Sequence, residues 1–127
     1  MRINPDDLGA FTRGYIECAL WLFDENPSPG QWTQFPEYFP QLAPETLNTM
    51  RADCAKFLDD AKIVALIDSE LGAEHAGRDF WLTRNEHGAG FWDGDWSELA
   101  SDYLTPRADS FPPRYLCRGD DNRIYQE

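Results

Sequence analysis

The chain has 127 residues, 42% hydrophobic and 14% aromatic, with 23 acids against 11 bases and a formal charge of −12. That length suits one ordinary domain with a real core, and the charge disfavours direct binding to nucleic acid, where Lys and Arg on phosphates supply most non-specific affinity. No apolar run is long enough to span a membrane, and residues 1–7 lack the regions of a secretory signal, so a cytoplasmic protein is expected.

Asn4 is a good N-cap, with Pro5 at the first helical position and Asp6 and Asp7 in the first turn. Leu8, Phe11, Tyr15, Cys18 and Leu22 then recur at three and four spacings, predicting an amphipathic helix to about Phe23. Residues 26–44 carry Pro27, Pro29, Gly30, Pro36, Pro40 and Pro44 among Trp32, Phe35, Tyr38 and Phe39. Such a composition predicts a long irregular loop whose aromatics pack over the core or against a partner. Pro44 and Glu45 open a second helix along Leu47, Met50, Cys54 and Phe57, with Asp59-Asp60 marking a break before Ile63 to Leu71.

Residues 71–78, with Gly72 and Gly77, read as a connector. Residues 79–84 and 89–93 then read as two strands around Asn85-Glu86-His87-Gly88. Asp95 and Glu98 resemble a capping box for a short helix ended by Pro106. Residues 114–118 and 123–126 flank Gly119-Asp120-Asp121-Asn122 as a second hairpin. The expectation is therefore an α+β domain spanning 1–127. Its first part, 1–72, is mainly helical with the loop at 26–44. Its second, 78–127, places two β-hairpins around a short helix, so that N-terminal helices pack on a small antiparallel sheet in the order ββαββ.

Cys18, Cys54 and Cys117 are odd in number and show no CxxC spacing, which predicts reduced core thiols. His75 and His87 form no zinc-ligand pattern, and neither Asp93-Gly94-Asp95 nor the Gly119 turn has the ligand spacing of a calcium loop, so no metal or cofactor is expected. His87, flanked by Arg84, Asn85 and Asp93, resembles a general base with carboxylate company, but no nucleophile or second base accompanies it. It reads first as a turn or partner-contact residue. Trp81, Phe91, Trp92 and Trp96 fit core packing between sheet and helices better than base stacking in so acidic a chain. Acids gather in the second helical region and again around Asp93, Asp95, Glu98 and Asp102. They read as a solvated face, or as a nucleic-acid mimic if the fold lines them up.

The segment from Asp79 to Asp93, with residues 14–21 upstream, 42–47 in the middle and Gly119-Asp120-Asp121 near the end, is similar to a family of small proteins encoded by bacteriophages and prophages. The likeness covers most of the chain in order. That family typically reads Asp-Phe-Trp-Leu-Thr-Arg-Asn-Gly-His-Gly-Ala-Gly-Phe-Trp-Asp at the first of these segments. This chain has Glu86 where a glycine is usual, Asn122 where one is common, and its own Pro-rich loop. The resemblance implies phage origin and a bacterial cytoplasm, and no particular reaction.

Origin and charge together point to a protein that inhibits or modulates a host nucleic-acid-binding protein by occupying its basic surface, in the manner of anti-restriction or anti-CRISPR proteins. Asp59, Asp60, Arg84, Asn85, His87, Asp93, Asp95, Asp120 and Asp121 are the expected partner contacts, and no catalytic residue is assigned. Two rivals stand beside that expectation: a small enzyme or nucleotide-binding protein with its site at His87, Arg84, Asn85 and Asp93, and a structural or regulatory phage accessory protein.

Overall fold

The spacing of Phe11, Tyr15 and Cys18 folds into helix α1 (Ala10–Phe23) in the computed structural model, which describes residues 7–23 and 37–127. The expected cap at Asn4 and the loop residues 26–36 lie outside that range. Within it, Tyr38 and Phe39 are buried, with Tyr38 edge-on to Phe23 at 5.9 Å, so this end of the aromatic loop does pack on the core. A short 3-10 turn (Phe39–Gln41) leads into α2 (Pro44–Phe57), which starts on Pro44 as expected and buries Leu47, Met50, Cys54 and Phe57. The predicted break is present: Asp60 Oδ1 accepts the Lys62 amide at 2.9 Å and caps α3 (Ala61–Ser69).

The first expected hairpin is replaced by a helix. Residues 79–84 are the second half of α4 (Ala73–Arg84), and the connector shrinks to the turn around Gly72. Ala76, Gly77, Phe80, Trp81, Thr83 and Arg84 are buried at helical spacing. The β propensity of Phe80-Trp81 yields to that packing. Gly77 does not break the helix. A Cβ there would collide with the carbonyl of Phe11 on α1, and one at Gly14 with the carbonyl of Glu74 on α4, so the two glycines let the helix backbones touch.

Helix α4 ends with Asn85 as its C-cap; the Glu86 amide donates to Thr83 O at 3.2 Å and the His87 amide to Leu82 O at 3.0 Å. This is the paired bonding that closes a helix through a left-handed residue. That residue is Glu86, at φ +55°. Glycine adopts this conformation without a Cβ penalty. Glu86→Gly is therefore expected to stabilise the fold by about 1 kcal/mol, read as a higher midpoint in urea unfolding; a lower midpoint would contradict the cap.

Residues 89–93 form no strand. The Phe91 amide donates to Thr83 Oγ1 at 3.0 Å, which turns the chain back on α4 and buries Phe91 fully. Ser97, rather than Asp95, caps α5 (Glu98–Asp109), its Oγ accepting the Ala100 amide at 3.1 Å. Pro106 sits inside α5 near its C-terminal end, on an exposed position, and the helix continues to Asp109. The second hairpin forms as expected: β1 (Leu116–Arg118) pairs antiparallel with β2 (Ile124–Gln126), placing Cys117 opposite Tyr125. It docks on the start of α2 through the Ala43 amide to Ile124 O at 2.9 Å and the Gln126 amide to Thr46 Oγ1 at 3.2 Å.

The described residues thus form an α+β arrangement, mostly helical with one two-stranded antiparallel sheet. An aromatic cluster joins the elements: Phe57 stacks on Phe80 at 4.4 Å and lies 5.3 Å from Phe11, while Phe80 meets Tyr15 and Phe111 at 4.9 Å each. All three cysteines are free, Cys18 and Cys54 buried and Cys117 partly exposed. Burial pushes the Cys18 thiol up to about 12, which keeps it protonated and unreactive. No helix among the described residues is long and apolar enough to cross a membrane.

Candidate functional site

The fold separates the residues expected to act together. Arg84, with a side chain only 2% exposed, donates to Asp53 Oδ2 at 2.7 Å, to Tyr15 Oη at 2.9 Å and to Pro112 O at 2.7 Å, between the rings of Phe80 and Phe111. It is a core tie and lies out of a partner's reach. Asn85 is spent at both ends, Nδ2 donating to Trp81 O at 3.0 Å and Oδ1 accepting the Arg114 amide at 2.7 Å. His87 is exposed just past the helix end. Asp93 shapes its own turn, accepting the Gly90 and Asp95 amides at 3.3 Å each. A catalytic set made of Arg84, Asn85, His87 and Asp93 has its Arg and Asn already engaged by the protein itself.

The other expected contacts divide in the same way. Asp121 holds the β-turn, accepting the Tyr125 hydroxyl at 2.6 Å and the Arg123 amide at 3.0 Å, and those bonds hold its carboxyl below the usual range. Asp60 is a cap and also accepts the Tyr103 hydroxyl at 3.1 Å, and its carboxyl is likewise lowered, first by the Lys62 amide. Asp59, Asp95 and Asp120 are exposed.

Three ties bring the two acidic regions of the sequence side by side. Tyr103 of α5 reaches Asp60 before α3; Glu70, after α3, takes both the Ser97 amide and its hydroxyl at 2.7 Å; and His75 Nε2 lies 3.8 Å from Asp95. Asp60, Glu70 and Asp95 thereby meet at the junction of α3, α4 and α5, with Asp59 and Asp93 beside them in the chain and Asp68, Glu74, Glu98 and Asp102 on the three helices themselves. Several bases point away from solvent: Arg84 as above, and Arg107, which donates to the carbonyls of Phe57 and Lys56 at 2.8 Å. Arg51, Lys56, Lys62 and Arg123 are exposed, and two bases stand at the junction itself: Lys62 lies 4.4 Å over the Tyr103 ring and Arg78 is 3.7 Å from Glu74. The surface is more one-sided in charge than the composition alone conveys.

Under this face lies a cluster that sequence reasoning missed. Asp79, 4% exposed, accepts the Trp96 indole N–H at 2.6 Å and stands 3.2 Å from His75 Nε2. Burial raises its carboxyl above the ordinary range; the Trp96 bond and His75 pull the other way, and Asp93 and Asp95 add to the rise. The i, i+4 spacing of His75 and Asp79 becomes a signal only once the segment is known to be helical. An acid raised on folding binds more proton folded than unfolded. Its stability contribution falls as pH climbs from about 4, the unfolded value, through the raised folded value, and it opposes folding above that. Asp79→Asn keeps an acceptor for Trp96 and is expected to raise the urea midpoint at neutral pH while leaving it nearly unchanged in acid. A drop at neutral pH would show that the carboxylate's charge is needed there.

On the far side of α4 a groove of about 160 Å³ runs between the end of α1, the end of α4 and the approach to β1, with Leu22, Phe23, Trp81, His87, Arg114 and Tyr115 on its walls. Among the described residues, no group of three or more His, Cys, Asp or Glu side chains is placed to hold a metal ion. Compared with protein-family models, with curated proteins and with solved structures, the chain matches none.

Proposed function

We propose that this is an interaction protein whose carboxylate face at the junction of α3, α4 and α5 occupies the basic surface of a nucleic-acid-binding protein and so inhibits or modulates it. The supporting observation is the juxtaposition of two acidic stretches, distant in sequence, through Tyr103–Asp60, Ser97–Glu70 and His75–Asp95, with few exposed bases to offset them. Carboxylates presented by rigid helices steer a basic partner and discriminate by charge pattern. The likeness of the chain to phage-encoded proteins supports a host defence nuclease as that partner, of restriction or CRISPR type, in a bacterial cytoplasm. The rival enzyme reading loses support from the burial of Arg84 and the double engagement of Asn85.

The test is competition with DNA across a panel of purified restriction and CRISPR nucleases. The protein is expected to displace DNA from at least one of them, with association that slows steeply as salt rises. A variant with Asp59 and Asp102 changed to Asn and Glu98 to Gln leaves the caps at Asp60 and Ser97 and the three ties intact, and it should lose that competition while keeping its melting temperature. Competition that survives the substitutions, or that is indifferent to salt, would remove the acidic face from the account.

A further inference from the structure

The groove beside Trp81 stands apart from the acidic face and has a chemistry of its own. Ala19, Leu22, Phe23 and Leu116 give it apolar walls. Its volume of about 160 Å³ is close to that of apolar cavities that hold a benzene ring. Two of the polar groups left over on its lining can only donate, the Trp81 indole N–H and the Arg114 guanidinium, while His87 and the Tyr115 hydroxyl can donate or accept. Trp81 is 3% exposed, and its indole N–H is buried without a hydrogen-bond partner among the described residues. Buried polar groups in native folds are nearly always paired, so this one stands out. Arg114 is held by its main chain to Asn85, while its guanidinium makes only a 3.3 Å contact to the neighbouring carbonyl of Pro113. Tyr115 is 66% exposed. The one amide side chain on the lining, Asn85, has its acceptor already occupied.

We propose that this groove binds a small monocarboxylate with an aromatic or branched apolar body. The body fills the space between Leu22, Phe23 and Trp81, and the carboxylate pairs with the Arg114 guanidinium, with the Trp81 N–H as the second donor once the wall side chains adjust around the ligand. In a chain of net charge −12, a carboxylate gains most where a cation stands beside an apolar wall. Arg114, on the lining with its guanidinium only weakly engaged, supplies that cation. The site is independent of the acidic face, so either proposal can fail alone.

Benzoate, benzyl alcohol and acetate titrated into the isotope-labelled full chain test the idea by NMR. Benzoate is expected to shift the Trp81 indole N–H together with the amides of Arg114 and Tyr115, saturably. Benzyl alcohol, which keeps the ring and loses the charge, and acetate, which keeps the charge and loses the ring, should each bind about tenfold more weakly or worse. Arg114→Gln, which keeps the main-chain tie to Asn85 and gives up only the exposed 3.3 Å contact to Pro113, should leave the melting temperature unchanged and erase the preference for benzoate over benzyl alcohol. Shifts scattered over the surface, equal affinity for the three probes, or a preference that survives Arg114→Gln would each overturn the proposal. So would binding confined to peptides ending in a free carboxylate, with none by benzoate.

Discussion

Phe80→Ala is expected to lower the unfolding free energy by about 3–5 kcal/mol, enough to unfold most of a marginally stable domain. Phe80 is fully buried and lies against Phe57 at 4.4 Å, Tyr15 and Phe111 at 4.9 Å and Phe11 at 5.9 Å, so the truncation empties the centre of the aromatic cluster. The rings around the void belong to α1, α2 and the segment after α5, and each is held by its own helix or turn, which limits collapse into the gap. Leu82, two residues on, is only half-buried at the edge of the same core and should cost far less on truncation. Strand geometry would have put Phe80 and Leu82 on one face and made them equivalent. Urea unfolding of the two variants therefore measures the helix directly: equal losses would restore the hairpin, and a large difference matches α4.

That contrast also shows where the sequence was legible. Some signals with a local mechanism came through: Pro44 opening α2, Asp59-Asp60 marking the break before α3, and the Gly119–Asn122 turn between β1 and β2, whereas the cap expected at Asp95 fell to Ser97. The identity of α4 did not come through, because its glycine serves a contact made elsewhere. Gly77 packs against α1, and a close helix crossing leaves no mark in a local window. The described non-glycine residues with positive φ are Glu86 and Asn122, at +55° and +66°. The first closes a helix and the second a hairpin, so turn residues of this kind mark a left-handed position without revealing which element it ends.

The expected contact residues were legible as chemistry and not as placement. Apart from the buried Asp79, these acids fell on the surface, as their solvation demands, but their gathering at one junction depends on side-chain ties between α3, α4 and α5 that span 20 to 43 residues. Arg84 was misjudged for the same reason. An arginine beside an asparagine and a histidine resembles a site, while its actual partners, Tyr15, Asp53 and Pro112, are 69, 31 and 28 residues away. His75, Asp79 and Trp96 escaped notice because the bond between Trp96 and Asp79 closes only after the chain has turned back at Phe91.

Arg84→Ala should be nearly as damaging as the loss of Phe80, through charge rather than volume. The guanidinium binds the Asp53 carboxylate at 2.7 Å, the Tyr15 hydroxyl at 2.9 Å and the Pro112 carbonyl at 2.7 Å. Tyr15 is wholly buried, and desolvation raises its phenol so far that it stays neutral, leaving the hydroxyl oxygen dependent on Arg84 as a donor. Removing Arg84 strands that oxygen and the Pro112 carbonyl and leaves Asp53 without its cation. The Asp53 side chain is 22% exposed, so water takes up part of its loss, and the change costs about 3 kcal/mol, the low end for breaking a buried pair from one side. Lysine should not rescue it, because an ammonium cannot reproduce the planar fork that meets acceptors on three different segments. Arg84→Met combined with Asp53→Leu removes both charges together and should recover part of the loss, since paired apolar replacements avoid the stranded carboxylate. A double-mutant cycle followed by urea unfolding reads this coupling. If Arg84→Ala instead kept its midpoint and lost only the interaction with a partner, the residue would belong to a binding surface, and the buried geometry around α4 would be wrong.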